Sequence, residues 1–275
     1  MEQTFRAICP KGLESLLQDE MARLGATSTR ENPGSVTFTG DMKMAYIACL
    51  WSRLANRVLL PLGTADVSDA EQLYNLANSV DWAMHMDVKH RFKVDFRGTS
   101  KNLNHEQFNA RTVKDAIADQ FREEFGKRPD VDLKSPDIWI FAHLHKGKCT
   151  LYLDLSGPSL HRRGYRLDQG EAPIKENLAA ALLIRAGWLT AEPETPLVDP
   201  LCGSGTLLLE GLLMRADIAP GLYREKYGFS DWLGHDEKLW QTCLADAQQR
   251  AEQGRQSLVC HATGFETDKR TLRAA

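Results

Sequence analysis

The chain reads as an α/β protein with a small two-layer α+β part in front and the opening of a parallel, doubly wound part behind. Three observations predict this. Strand-like and helix-like hydrophobic periods alternate from Thr4 onward. Asp199-Pro-Leu-Cys-Gly-Ser-Gly-Thr206 joins the apolar run Pro196-Leu-Val198 to the helical run Leu207-Leu-Leu-Glu210, a strand, glycine turn and helix in succession. A length of 275 residues exceeds one small domain and suits two.

In the front half, Thr4 to Ile8 reads as a strand. Gly12 to Leu24 reads as a helix, because Leu13, Leu16, Leu17, Met21 and Leu24 recur at helical spacing and Gly25 stops it. Val36-Thr-Phe38 is a strand, Met42 to Trp51 a helix and Arg57 to Leu62 a strand, an order that fits a ferredoxin-like unit. Arg91 to Phe96 is the next strand. Ala110 to Phe125 is a helix with Val113, Ile117, Phe121 and Phe125 in one stripe. Ile138 to Leu144 and Thr150 to Leu155 pair as a hairpin around Lys146-Gly-Lys148.

In the back half, Pro173 suits a first helical turn, and Leu178 to Ile184 is apolar on most faces, which predicts a buried helix beside the glycine turn. Ala219-Pro-Gly221 is expected to end the helix that follows the turn. Tyr223 to Trp240 reads as an insertion with its own small core of Phe229, Trp232 and Trp240. Asp236 to Gln253 is a helix ended by Gly254, and Ser257 to Gly264 a strand. The domain boundary falls near Leu167 to Glu171.

Composition narrows the class. The chain is 43% hydrophobic, enough for real cores, and its net charge of −3 does not by itself indicate nucleic acid. No run of 18 apolar residues occurs and the N-terminus lacks the form of a signal peptide, so no membrane association is expected. Six scattered cysteines without a C-x-x-C are read as free thiols in a reducing cytoplasm. No His/Cys cluster has metal-ligand spacing, and no metal is expected.

The turn carries the chemistry. Gly203 and Gly205 permit positive φ and close approach of a ligand, while Ser204 and Thr206 can cap the new helix. The free N–H groups of a helix start suit a carboxylate. Asp199 closes the strand where a dinucleotide site would place its first glycine, and neither G-x-G-x-x-G nor a Walker loop is present. An acid beside free N–H groups suits a ligand with both a carboxylate and a positive charge, without a diphosphate. S-adenosyl-L-methionine (SAM) fits, which disfavours a nicotinamide oxidoreductase. Pro200, Cys202, Gly203, Gly205 and Thr206 are the turn's candidate cofactor contacts, with Cys202 read as packing rather than as a nucleophile. Glu266, and second Asp268, follow the next strand and are candidates for the ribose hydroxyls. Lys175 and Glu176 are candidates for lining the pocket from the preceding helix.

Charge is locally uneven. Residues 89–128 and 143–166 each carry an excess of four positive charges. Lys101, Asn109, Arg111, Lys114, Lys127, Arg128, Arg162, Arg163 and Arg166 are the candidate phosphate contacts. On charge alone, a solvated surface explains them equally well.

Arg163-Gly-Tyr-Arg166, Ala172-Pro-Ile-Lys-Glu-Asn-Leu178 and Asp199-Pro-Leu-Cys-Gly-Ser-Gly-Thr206, in that order, resemble the THUMP-containing RNA guanine-N2 methyltransferases. Ala219-Pro-Gly-Leu222 and Trp232-Leu-Gly-His-Asp-Glu237 resemble the bacterial 23S ribosomal RNA branch of the L type. The resemblance covers essentially the whole chain. It implies a ferredoxin-like region at 1–60, a THUMP RNA-binding domain at 61–166, and the N-terminal part of a Rossmann-like SAM-dependent methyltransferase domain at 167–275. It also implies N2-methylation of a guanine presented out of its stack. Members of the family carry Asn or Asp followed by Pro-Pro and an aromatic as the motif that holds the guanine amine; nothing of that kind occurs here. The chain is therefore expected to be the N-terminal portion of a longer enzyme and inactive alone, with the segment after Leu207 poorly packed unless covered. The same chemistry on transfer RNA, and a non-catalytic RNA-binding module, are the alternatives.

Overall fold

The computed structural model of the chain describes residues 2–165, 174–269 and 271. The front half forms one continuous eight-stranded sheet. Its first part is β1 (Gln3–Ile8), α1 (Glu14–Leu24), β2 (Ser28–Asn32), β3 (Ser35–Gly40), α2 (Met42–Trp51) and β4 (Arg57–Asp66). The strand order β2-β3-β1-β4 with antiparallel neighbours is the ferredoxin-like arrangement. Its second part is α3 (Ala70–Asn78), β5 (Arg91–Arg97), α4 (Glu106–Phe125), β6 (Asp130–Val131), β7 (Ile138–His145) and β8 (Lys148–Asp154). β4 pairs antiparallel with β8, and the sheet continues β8-β7-β5-β6. The expected boundary at 60/61 therefore falls inside β4, a strand shared by both parts.

Several elements differ from the sequence reading. β2, Ser-Thr-Arg-Glu-Asn, is an edge strand without an apolar face, so alternation could not mark it. α3 carries only Leu73, Leu76 and Ala77 inward, a stripe too short to stand out; Asp69 caps it by accepting from the Gln72 amide at 2.9 Å. α4 begins one turn earlier than expected, where His105 accepts from the Phe108 amide at 3.3 Å.

The back half contains α5 (Glu176–Arg185), β9 (Leu197–Asp199), α6 (Thr206–Arg215), α7 (Glu237–Ser257) and β10 (Ala262–Gly264), with β9 and β10 parallel. α6 ends at Arg215, one turn before Ala219-Pro-Gly221. α7 does not stop at Gly254. A Cβ there would lie 1.7 Å from the Ala216 carbonyl oxygen, so this glycine serves close packing against the end of α6 rather than termination. The longer helix shortens the expected 257–264 strand to three residues. α5 is buried along most of its length, yet Leu182 is 52% exposed.

The insertion does not keep a core of its own. Phe229, Trp232 and Trp240 join the main hydrophobic core. Tyr46 of α2 meets Phe229 at 4.7 Å and Trp240 at 5.8 Å between ring centroids, and its hydroxyl lies 2.7 Å from His235 Nδ1. Trp232 donates its indole N–H to His85 at 3.0 Å. The insertion is thus packed. Large apolar residues are exposed at several places in the back half, Tyr223 and Leu233 of the insertion included, and four of them, Val198, Leu201, Val259 and Phe265, lie in or near β9, β10 and the turn.

The halves join through the loop 52–56 between α2 and β4. Arg163, 2% exposed, donates to the carbonyls of Arg53 at 2.6 Å, Leu160 at 2.7 Å and Ser52 at 3.4 Å, and pairs with fully buried Glu210 of α6 at 3.4 Å. Arg53 reaches the Ile218 carbonyl at 2.7 Å. Asn177 of α5 donates to the Leu54 carbonyl at 3.3 Å and to Asn56 Oδ1 at 2.9 Å. Glu20 of α1 holds the loop from below, accepting from the Ser52 hydroxyl at 2.5 Å and the Arg53 amide at 2.9 Å. Removing one partner of a buried ion pair strands the other charge in a dry site. Arg163→Leu is expected to cost about 3–5 kcal/mol, read as a lower denaturation midpoint and as early proteolysis on either side of the 166–173 segment.

Candidate functional site

The parallel pair β9 and β10 brings two strand ends side by side, with Gly264 opposite Asp199. Past that register the chains remain hydrogen-bonded: the Phe265 amide donates to the Asp199 carbonyl at 2.9 Å, and the Cys202 amide donates to the Phe265 carbonyl at 3.0 Å. Gly264 is required here because a Cβ would fall 2.7 Å from Cys202 Sγ and 2.6 Å from Leu208 Cδ1. The turn is consequently pressed against the segment that carries Glu266.

The turn itself uses both glycines at positive φ, Gly203 at 54° and Gly205 at 75°. Gly205 occupies the N-cap position of α6, which neither Ser204 nor Thr206 takes, and Thr206 is buried in the first turn. A Cβ built on Gly203 would meet no atom within 4 Å, so the backbone there borders open space. Asp199 accepts the Leu201 amide at 3.0 Å through Oδ1, which holds its carboxylate at the strand end over Pro200.

Glu266 closes the constellation. Its Oε2 accepts the Gly203 amide at 3.1 Å and its Oε1 the Asp268 amide at 2.8 Å. The Asp268 amide first, and those of Thr267 and Gly203 after it, hold the carboxyl below the usual glutamate range, so it carries charge at neutral pH. Asp268 is exposed beside it and accepts from the Thr271 hydroxyl at 2.7 Å. Lys175 is exposed at the N-cap position of α5. Glu176 is buried at the start of α5; burial lowers the titration of nearby His161, with the Glu176 charge opposing it, and burial raises that of Tyr165, with Glu210 and Glu176 adding to it.

Of the expected phosphate contacts, Lys101, Arg111, Lys127, Arg128 and Arg162 are exposed. Lys101 stands at a cleft of about 580 Å³ that Ser68, Asn102 and Lys146 also line. Lys114 is half-buried and paired with Asp115. Arg166 lies outside the described residues. Two residues leave the set. Asn109, 1% exposed, donates to the Leu103 carbonyl at 3.2 Å and pins the start of α4. Arg163 is the junction residue described above. In both, polar side chains that the sequence suggested for a surface are consumed by buried backbone carbonyls.

The sequence reading missed Arg224. Its guanidinium donates to four carbonyls of the 156–162 segment, those of Arg162 and Pro158 at 2.7 Å, Ser159 at 3.1 Å and Ser156 at 3.2 Å. The insertion therefore fixes the segment that leads into Arg163. No sequence signal separates Arg224 from a surface arginine.

Three family models match the chain: an RlmL ferredoxin-like domain at 4–59, a THUMP domain at 67–154, and an RMKL-like methyltransferase domain at 163–275. The chain is 50% identical over 268 residues to a ribosomal RNA large subunit methyltransferase K/L of Pseudomonas paraeruginosa, covering 97% of this chain and 37% of that protein. The chain thus spans a little over a third of the length of the curated relatives it matches. Among solved structures it resembles a protein named as a predicted N6-adenine-specific DNA methylase from Listeria monocytogenes, at TM-score 0.84 and 31% identity, covering 100% of this chain and 70% of that one. It also resembles SMU.472 complexed with SAH, at TM-score 0.86 and 29% identity, covering 100% and 71%.

Burial first, then the charges of Asp199 and Glu266, push the Cys202 thiol above its ordinary value. At pH 8, iodoacetamide is expected to modify Cys202 more slowly than a free thiol. Asp199→Asn is expected to speed that reaction, as followed by peptide mass spectrometry. Modification faster than that of a free thiol would return Cys202 to the list of candidate nucleophiles.

Proposed function

The chain belongs to the THUMP-containing, RMKL-like methyltransferases, and from that membership we propose that it binds SAM at the 199–206 turn as the cofactor half of a 23S ribosomal RNA guanine-N2 methyltransferase. The working division is a ferredoxin-like region at 1–60, a THUMP RNA-binding domain at 61–166 and the first part of the methyltransferase domain at 167–275. A cytoplasmic location goes with a ribosomal RNA substrate.

One observation carries the cofactor reading. The Asp199 and Glu266 carboxylates stand by the ends of two parallel strands, Glu266 accepts the Gly203 amide at 3.1 Å, and the backbone at Gly203 borders open space. The donor set fits the ligand. Backbone N–H groups at the start of α6 suit the methionine carboxylate. Asp199 suits the ammonium, and Glu266, with Asp268 second, suits the ribose hydroxyls. Pro200, Cys202 and Thr206 form the wall of the turn, and Lys175 and Glu176 approach from α5. The bound cofactor supplies an electrophilic methyl group on a sulfonium. This chain's residues do the rest of their work by positioning: they orient the cofactor and keep its charged end out of bulk water.

The RNA reading rests on the THUMP match and on the exposed cations Lys101, Arg111, Lys127, Arg128 and Arg162. The 275 residues contain no Pro-Pro pair, so the family's guanine-holding motif is not among them. We therefore propose that the chain by itself binds the cofactor without turning over.

Isothermal calorimetry with SAM tests this. Saturable binding is expected, weakened about 10–100-fold by Asp199→Ala and by Glu266→Ala, consistent with loss of one or two charge-assisted hydrogen bonds. Equal affinity in wild type and both variants would overturn the assignment of the site. No binding with RNA affinity intact would make this chain an RNA-recognition module.

A further inference from the structure

Helices α1 to α4 cover one face of the eight-stranded sheet, packing on Phe5, Phe38, Val58, Leu60, Phe92, Ile140 and Leu151. The other face has no covering helix among the described residues. Residues alternate along strands, so the register fixes what this face displays. Arg30, Thr37 and Arg6 stand in adjacent strands at one side. Tyr152 and Phe141 stand at the centre, with His143 and His145 beyond them opposite Thr150 and Lys148. Trp139, Lys93 and Asp95 follow on the far side. Leu59, Phe141 and Tyr152 form a small apolar cluster here, separate from the main core.

The charge of this face is largely uncompensated at its centre. Arg57 is neutralised by Asp154 and approached by Asp95, and Lys93 pairs with Asp95 at 3.1 Å. Arg6 has no carboxylate partner among the described residues. Its guanidinium is held by neutral groups: the Ser35 hydroxyl at 2.9 Å, the Tyr152 hydroxyl at 3.3 Å and His143 Nδ1 at 3.5 Å. Arg30 and Lys148 likewise form no ion pair among the described residues. These three cations stand on β2, β1 and β8, across a span of five strands. On β7, the strand next to β8, stand two stacked imidazoles, His143 and His145, with rings 6.1 Å apart and inclined by 8°.

We propose that this uncovered face binds an unpaired segment of RNA, with Arg6, Arg30 and Lys148 on phosphates and the His143–His145 pair offering a stacking surface for bases. The proposal rests on the RNA reading above but adds a surface on the opposite side of the sheet from Arg111 and Lys114 of α4. The chemistry favours RNA over an apolar partner. The apolar cluster is buried beneath polar side chains, and what remains at the surface is cationic, hydroxylated and aromatic. Unpaired nucleotides bind that combination through backbone charge and stacking. A duplex hides its bases and cannot use the imidazoles.

The test uses the 275-residue chain and fluorescein-labelled RNA, one oligonucleotide unpaired and one the matching duplex, followed by anisotropy over a salt series. Tighter binding of the unpaired strand is expected. Arg6→Ala is expected to weaken it about tenfold and to lower the slope of log affinity against log salt by about 1. Because Arg6 is half-buried, His145→Glu at an exposed position provides a second variant, with the same direction expected. Thermal midpoints of both variants report folding. Unchanged affinity in both variants, with loss in Arg111→Glu, would overturn the sheet face and leave RNA binding by the chain standing. Preference for the duplex would also overturn it. Absence of RNA binding in the wild type would remove this proposal together with the RNA reading.

Discussion

The loop 52–56 is the polar centre of the junction between the two halves. A five-residue connection between a helix and a strand offers its carbonyls, and the rest of the molecule docks on them: Arg163 on Ser52 and Arg53, Asn177 on Leu54, and the Leu160 amide on Asn56 at 2.8 Å. Two guanidiniums and two carboxylates are buried within this junction, Arg53, Arg163, Glu20 and Glu210. Burial lowers the pKa of Arg53, and Glu210 is the largest opposing influence. A cluster of that kind is costly to desolvate, and its gain lies in direction rather than in net energy. Apolar contacts would let the two halves slide; planar guanidiniums with several fixed acceptors do not.

This rigidity extends to the candidate site through α6. The helix begins at the glycine turn and carries Glu210 one turn further in, so the same short element is bonded to the junction at one point and opens onto the site at another. Tyr165 donates to Glu210 at 3.0 Å from the same stretch of chain as Arg163. The insertion braces the arrangement from a third side. Gly228 approaches the backbone so closely that a Cβ would lie 2.1 Å from the Asp154 carbonyl oxygen, and Arg224 gathers the four carbonyls of 156–162. The front half, which matches a THUMP domain, and the turn that carries the candidate site are therefore held in one frame.

The sequence made visible those features that rest on local rules. Strands β1, β3 and β4 of the ferredoxin-like unit, the hairpin around Lys146-Gly147 and the strand–turn–helix at Asp199 follow from alternation, helical period and glycine chemistry, all properties of neighbouring residues. What stayed hidden depends on residues far apart in sequence. Charge alone cannot tell whether Arg163 faces water or lies under four polar contacts, with Glu210 and three carbonyls. The same limit made Asn109 look like a surface residue and left Arg224 unnoticed. Gly254 misled for a related reason: a glycine that stops a helix and one that lets a neighbouring chain approach are the same letter. The placement of Glu266 was readable because an acid one strand on is a local spacing. Its bond to Gly203 was not, because it depends on the parallel register of β9 and β10.

The two sheets meet water differently, and the difference follows from their pairing. Strands of the large sheet are mostly antiparallel, so one side can alternate polar residues toward solvent while the other packs under helices. Its uncovered side is accordingly finished: Leu59, Phe141 and Tyr152 form a small buried cluster, and the Arg6 guanidinium binds the Tyr152 hydroxyl at its edge. The small sheet is parallel, a pairing that elsewhere is covered on both faces. It leaves Val198 57%, Leu201 85% and Phe265 58% exposed around the turn. Apolar exposure of that density beside convergent charged groups does not make a stable boundary with water, and the longer relatives have far more chain with which to cover it. The polar face can meet a solvated ligand as it stands, whereas the apolar rim at Leu201 and Phe265 needs a packed neighbour before water is kept from Asp199 and Glu266.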